Sequence, residues 1–225
     1  MEFNENSYRQ PRITQAKWTL RFIGISVIFF IFQNILGPEI WQYFAFFPAL
    51  AIKWPWTLIT SVFLHADFNH LLFNMFALFF FGSYLERLLG SNRFLIIFIS
   101  AGIVGNIGYF VTASNNMIPA IGASGAAYGL MGTLVVLAPF MSVYIWGLLP
   151  VPMIILTAVY AFIDVIGLSA PSGIAHGAHL AGLIVGIVHA KSSIWKQIKE
   201  KFKKNVTSIG HNLAISAYAI RSFLD

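Results

Sequence analysis

The chain has no cysteine and little charge: of 225 residues, only 10% are Asp, Glu, Lys or Arg. Without cysteine there is no disulfide, no thiolate nucleophile, and no Cys-based zinc or iron–sulfur site. The charge is well below the ~25% of an ordinary soluble domain, while 58% of the residues are hydrophobic and the mean hydropathy is +0.75. One soluble core of this size cannot hide so much apolar surface. These numbers exclude a soluble globular protein, a disordered chain and a coiled coil. There is no His-Glu-x-x-His, which disfavours a zinc protease. Internal repeats and low-complexity linkers are also missing. What remains is an integral membrane protein, helical because lipid cannot satisfy open backbone groups.

The few charges outline a topology. From Phe22 to Ala190 the only charged residues are Glu39, Lys53, Asp67, Glu86, Arg87, Arg93 and Asp164. A bilayer core of ~30 Å takes about 20 apolar residues per helix. The apolar runs between the charges predict six spans: Trp18–Leu36, Asn69–Leu89, Phe94–Ala113, Ser124–Phe140, Tyr144–Leu168 and Ile174–Ser192. Basic residues favour the cytoplasmic side. Arg9, Arg12, Lys17 and Arg21 lie before or just inside the start of the first span, Arg87 and Arg93 flank the turn between the second and third, and Lys191 to Lys204 lie at and beyond the end of the sixth. Six spans put all three clusters on one side, with Lys53 outside. The chain thus divides into a cytoplasmic tail 1–17, a six-helix membrane core 18–192 and a basic, partly amphipathic cytoplasmic tail 193–225 suited to anionic lipid. The first apolar run ends in Leu36-Gly37-Pro38-Glu39. That is no cleavage site, so the run is read as a span rather than a signal peptide.

The connection from Gly37 to Phe68 is long and rich in Trp, Tyr and Phe, with Pro38, Pro48 and Pro55 as breaks. Such a loop fits the outer membrane interface. Pro150 and Pro152 mark either a moving element or a fixed kink near the inner end of the fifth span.

Polar residues at membrane depth are functional hypotheses by default. His70 and Asn74 share one helix face near the start of the second span, with His65 just before them. Ser124 starts the fourth span, and His176 and His179 start the sixth. The second, fourth and sixth spans run in the same direction, so Ser124, His179, His70 and Asn74 lie at one outer level. Gly122, Gly125, Gly182 and Gly186 are the small residues that let helices approach closely and would bring Ser124 to His179. A serine needs an adjacent base to act as a nucleophile and donors for the oxyanion. The Ser124 backbone N–H, His70 and Asn74 are suitable donors. Asp164, near the outer end of the fifth span, is either a third triad member or a carboxylate at the interface.

At this point the motifs resemble those of the rhomboid intramembrane serine proteases. The resemblance covers about Trp56 to Gly186. It rests on His65-x4-His70-x3-Asn74, Gly82-x3-Glu86-Arg87-x2-Gly90, Gly122-x-Ser124-Gly125 with Tyr128, and Ala178-His179-x2-Gly182-x3-Gly186. It implies an all-α, six-helix rhomboid-like bundle, a Ser124–His179 catalytic dyad, and an oxyanion site made by His70, Asn74 and the Ser124 backbone. Tyr128 would pack on the dyad histidine. It also implies single-span membrane proteins as substrates and no cofactor; the residues themselves lead to no expectation of a metal or of nucleic acid. One departure is Trp56-Thr57, where many members carry Trp-Arg, which leaves the anchoring of the long loop open. The expected location is a bacterial inner membrane, both termini cytoplasmic and the site opening outward. The alternatives are a non-catalytic binder of transmembrane segments and a transporter built around the histidines and Asp164.

Overall fold

The computed structural model describes residues 16–37, 39, 41–145, 148–169 and 173–192. The expected tails, apart from Ala16 and Lys17, lie outside the described residues. Among the described residues six principal helices carry the fold: α1 (Lys17–Leu36), α2 (Phe68–Leu89), α3 (Ser91–Thr112), α4 (Ser124–Leu137), α5 (Met153–Gly167) and α6 (176–192). The first three are long and apolar enough to cross a membrane. The 14 residues of α4 and 15 of α5 reach only about 21–23 Å at 1.5 Å per residue. The central helix, α4, has a nearly continuous buried run from Gly125 to Leu134. It is enclosed by protein rather than lipid.

The outer surface is as apolar as the core. Ile31, Phe32 and Ile35 of α1 and Phe162, Ile163 and Ile166 of α5 all point outward and exposed, which suits a lipid solvent and no other. Inside, Phe22 stacks on Phe98 at 4.4 Å between ring centroids, within a cluster that includes Phe94, Leu85, Leu130 and Leu134.

Two expected boundaries are corrected. The fourth span was expected to reach Phe140, but α4 stops at Leu137, because Pro139 drives the residue before it out of helical geometry. Ala138 accordingly has φ −144° and ψ 61°. The fifth was expected from Tyr144. Instead β1 (Ser142–Ile145) and β2 (Leu149–Pro152) form an antiparallel hairpin, with Val143 opposite Val151, so the fold is not purely helical. Pro150 and Pro152 lack the N–H a helix interior needs, a cost of about 3 kcal/mol each, and the helix begins directly after Pro152.

The long loop is pinned on both sides. Phe46 and Ala120 exchange backbone hydrogen bonds of 3.2 and 2.9 Å, and Phe46 is fully buried. Trp56 Nε1–H donates to the Tyr43 carbonyl (2.8 Å) and the Thr60 hydroxyl to the Phe44 carbonyl (2.9 Å). From α3, Asn106 Nδ2 donates to the Leu58 carbonyl (2.9 Å) and to Ser61 Oγ (2.8 Å). These bonds anchor the segment around Trp56-Thr57.

At the opposite end, α1 has no side-chain cap from Ala16, the described residue before it. Buried Glu86 of α2 supplies it. The carboxylate accepts from the backbone N–H groups of Trp18 (3.0 Å) and Thr19 (2.9 Å), the Thr19 hydroxyl (2.9 Å) and the Ser91 hydroxyl (2.7 Å). A negative charge at a helix N-terminus also meets the positive end of its dipole. Gly82, one turn earlier, lets Thr19 pass close: a Cβ there would sit 3.1 Å from Thr19 Cγ2. Glu86→Ala should cost about 3 kcal/mol, since hydrogen bonds to a charged group are worth about 1.5–3 kcal/mol each. It should lower the thermal midpoint of the detergent-solubilised protein clearly; an unchanged midpoint would refute this role.

Candidate active site

Small residues set the spacing of α4 and α6. A Cβ on Gly182 would run into the Gly125 carbonyl oxygen, and one on Gly186 into that of Gly129. Backbone therefore lies against backbone along the seam. The Thr133 hydroxyl also donates across it to the Gly186 carbonyl at 3.2 Å. This approach brings the N-terminal ends of both helices together, where Ser124 is the first residue of α4 and His179 the fourth of α6.

Ser124 Oγ lies 2.9 Å from His179 Nε2. The other ring nitrogen, Nδ1, is 2.9 Å from Asp164 Oδ1 of α5. The same oxygen lies 2.6 Å from His176 Nδ1. Tyr128, one turn below Ser124, stacks on the His179 ring with centroids 4.3 Å apart and planes within 10°. Tyr160 of α5 meets Tyr128 edge-on at 6.1 Å. His179 is thus held by a hydrogen bond on each nitrogen and by an aromatic face.

His70 and Asn74 come from the first turns of α2. Asp67 caps this helix, accepting the His70 N–H at 2.9 Å. The Ala66 N–H donates to His70 Nδ1 at 3.3 Å, which leaves Nε2 as the protonated, donating nitrogen. Asn74 Nδ2 donates to the His70 carbonyl at 2.9 Å and has a second N–H to give. Both groups face Gly122: a Cβ there would lie 2.6 Å from His70 Nε2 and 3.6 Å from Asn74 Nδ2. Gly122 has φ +107°, a conformation only glycine adopts readily, and its N–H is fixed by the Ser61 carbonyl at 2.9 Å. The first N–H groups of α4 lack intrahelical acceptors. Two side-chain donors and a helix N-terminus therefore converge beside Ser124.

His65 is placed differently from the others. Its ring is fully buried behind His70, with centroids 5.1 Å apart, and it does not line the cavity. Burial, with His70 adding to it, pulls its imidazolium down to about 3, so the ring is neutral and acts as packing. Gln33 of α1 holds the His65 backbone at both its N–H and its carbonyl.

Ser124, His179, His70, Asn74 and Tyr128 line one cavity of about 810 Å³. The rest of its wall is mostly apolar, with Phe73, Phe76, Phe80 and Phe81 from α2 and Leu156 and Tyr160 from α5. A polar end thus adjoins an apolar groove walled largely by α2 and α5. Asp164, His176 and His179 also present ligand-type atoms within 4.8 Å of one another, a donor set chemically suited to a metal ion. Their N···O separations are hydrogen-bond lengths.

Residues 53–195 match the Rhomboid domain family. The chain belongs to the rhomboid family. It is similar to YdcA of Bacillus subtilis (strain 168), 51% identical over 77 residues, which is 34% of this chain and 38% of the relative. The rhomboid protease GluP of the same organism is 37% identical over 138 residues, 60% of this chain and 25% of GluP. The rhomboid protease GlpG of Klebsiella pneumoniae (MGH 78578) is 30% identical over 180 residues, 77% of this chain and 61% of GlpG. This rhomboid's matches thus span less than two thirds of each of these relatives.

Several residues of the site escaped the sequence reading: Asp67 as helix cap, Asn106 and Gln33 as loop clamps, and His176 as the second partner of Asp164. Asp67 three residues before His70 is a cap signature, and Gln33 and Asn106 are amides inside apolar runs, signals that were available. Gly182→Val should push α6 off α4, as overpacking a tight contact costs about 1–3 kcal/mol. A lowered thermal midpoint and a lengthened Ser124–His179 separation in a structure of the variant are the expected results; an unshifted helix pair would contradict the seam.

Proposed function

We propose that this rhomboid is an intramembrane serine endopeptidase that cuts single-span membrane proteins near the outer surface of the membrane. The observation that carries this is Ser124 Oγ at 2.9 Å from His179 Nε2, at the polar end of an apolar groove. His179 takes the Ser124 proton as the oxygen bonds to the scissile carbonyl carbon. The His70 Nε2–H, the Asn74 amide and the Ser124 N–H stabilise the oxyanion. The C–N bond then breaks as His179 passes its proton to the leaving amine. Water, deprotonated by His179, attacks the acyl carbon and frees Ser124. No cofactor or metal takes part in these steps.

The six helices cross the membrane as six spans, with α4 recessed among the others so that Ser124 lies below the outer surface. Both termini are cytoplasmic, in a bacterial inner membrane. The groove between α2 and α5 admits the substrate sideways, its apolar walls matching a transmembrane helix. The two relatives named as rhomboid proteases support the reaction class.

The test is reaction of the purified full chain with a serine-directed fluorophosphonate. Covalent labelling and cleavage of a single-span substrate should both occur, both should vanish in Ser124→Ala, and chelators should leave them unchanged. Cleavage that persists in Ser124→Ala, or binding of transmembrane segments without labelling, would reject the enzyme in favour of another chemistry or a non-catalytic binder.

A helical substrate has its carbonyls paired and must unwind before attack. Substrates with Gly or Pro near the outer end of their span should therefore be preferred. Replacing those residues with Leu should cut kcat/KM about tenfold, and equal rates would count against local unwinding.

A further inference from the structure

We infer that Asp164 is the positioning residue of the base, held in place by His176, so that Ser124 and His179 work as part of a four-residue relay rather than as an isolated pair. The inference rests on the serine-enzyme reading and adds residues that the family resemblance does not supply.

Asp164 is the only acidic residue of α5 and is buried at 2% exposure. A buried carboxylate is costly unless paired. Here Oδ1 meets the Nδ1 atoms of His176 and His179, at 2.6 and 2.9 Å. An ionised carboxylate only accepts hydrogen bonds, so both Nδ1 atoms carry the proton. For His179 this fixes the one tautomer in which Nε2 has a free lone pair, aimed at the Ser124 hydroxyl. When Nε2 takes the serine proton, the new imidazolium lies against the carboxylate. This is the task of the third member of a serine triad, which stays ionised throughout.

His176 gives Asp164 a second donor independent of the reaction. Its ring rests on Gly167, one turn beyond Asp164 on α5, where a Cβ would collide with the ring atoms Nδ1, Cε1 and Nε2. Gly167 makes the seat, His176 fills it, and Asp164 is held facing His179. The titratable groups around the carboxylate are His176 and His179 from α6 and Tyr128 from α4, with Tyr160 of α5 against Tyr128.

The test uses the full chain in detergent and in lipid, with Asp164→Asn, His176→Phe and Gly167→Ala compared with wild type. Asp164→Asn should lower kcat by about 10³-fold or more, as loss of the triad carboxylate does, with KM within about twofold and a corresponding fall in the fluorophosphonate labelling rate. His176→Phe and Gly167→Ala, which leave Asp164, His179 and Ser124 intact, should each lower kcat about 10–100-fold, the effect of one hydrogen bond to a charged group. In catalytically silent Ser124→Ala protein, the His179 Nδ1–H should give a strongly deshielded proton resonance that disappears on adding Asp164→Asn. That signal reports the hydrogen bond without activity, and thermal midpoints identify any variant that fails to fold. Wild-type labelling combined with an unchanged rate in folded Asp164→Asn would overturn this inference alone. Absence of wild-type labelling would instead overturn the serine-enzyme reading, and the resonance would still decide whether Asp164 holds the base.

Discussion

The structure depends on the direct backbone approach of α4 and α6. At Gly125–Gly182 and Gly129–Gly186 neither helix has a side chain to hold the other away. In lipid no hydrophobic force separates helix contacts from lipid contacts, so close packing and hydrogen bonding across the seam carry the association. Everything at the N-terminal ends of these two helices follows. The nucleophile candidate is on one helix and its base on the other, and only a seam this tight leaves their side chains within one hydrogen bond.

Around that pair the remaining elements act as supports. The long loop, clamped by Asn106 and bridged to Ala120, fixes Gly122 through Ser61 and so sets the turn before Ser124. The capped first turn of α2 aims two amide- or imidazole-type donors at that turn. α5 contributes differently: it walls the apolar groove and also carries Asp164 to His179. A helix that walls the cavity and also bonds His179 couples the arrangement of the site to its own position.

The polar groups are unequally distributed. At the N-terminal end of α1 Glu86 commits its carboxylate to structure, bonding the first backbone N–H groups of that helix. At the N-terminal ends of α2, α4 and α6 the polar side chains surround a cavity. A membrane protein has few such groups, because each one in an apolar solvent needs a partner, so their grouping separates scaffold from site.

The sequence by itself determined the membrane class, the approximate extent of the principal helices, and which polar residues stand near helix N-terminal ends. These follow from composition, run length and helical direction, which are local or one-dimensional quantities. It misjudged the start of the fifth helix, where two prolines replaced a predicted span segment with a hairpin. It passed over Gln33 and Asn106, whose partners lie 32 and 48 or 45 residues away. It left Asp164 between an interface carboxylate and a triad member. Only the tertiary structure decided that it faces His179 and His176. Shared depth in a membrane fixes one coordinate of a side chain; the other two depend on how each helix is rotated and which neighbour it meets, and packing alone sets those.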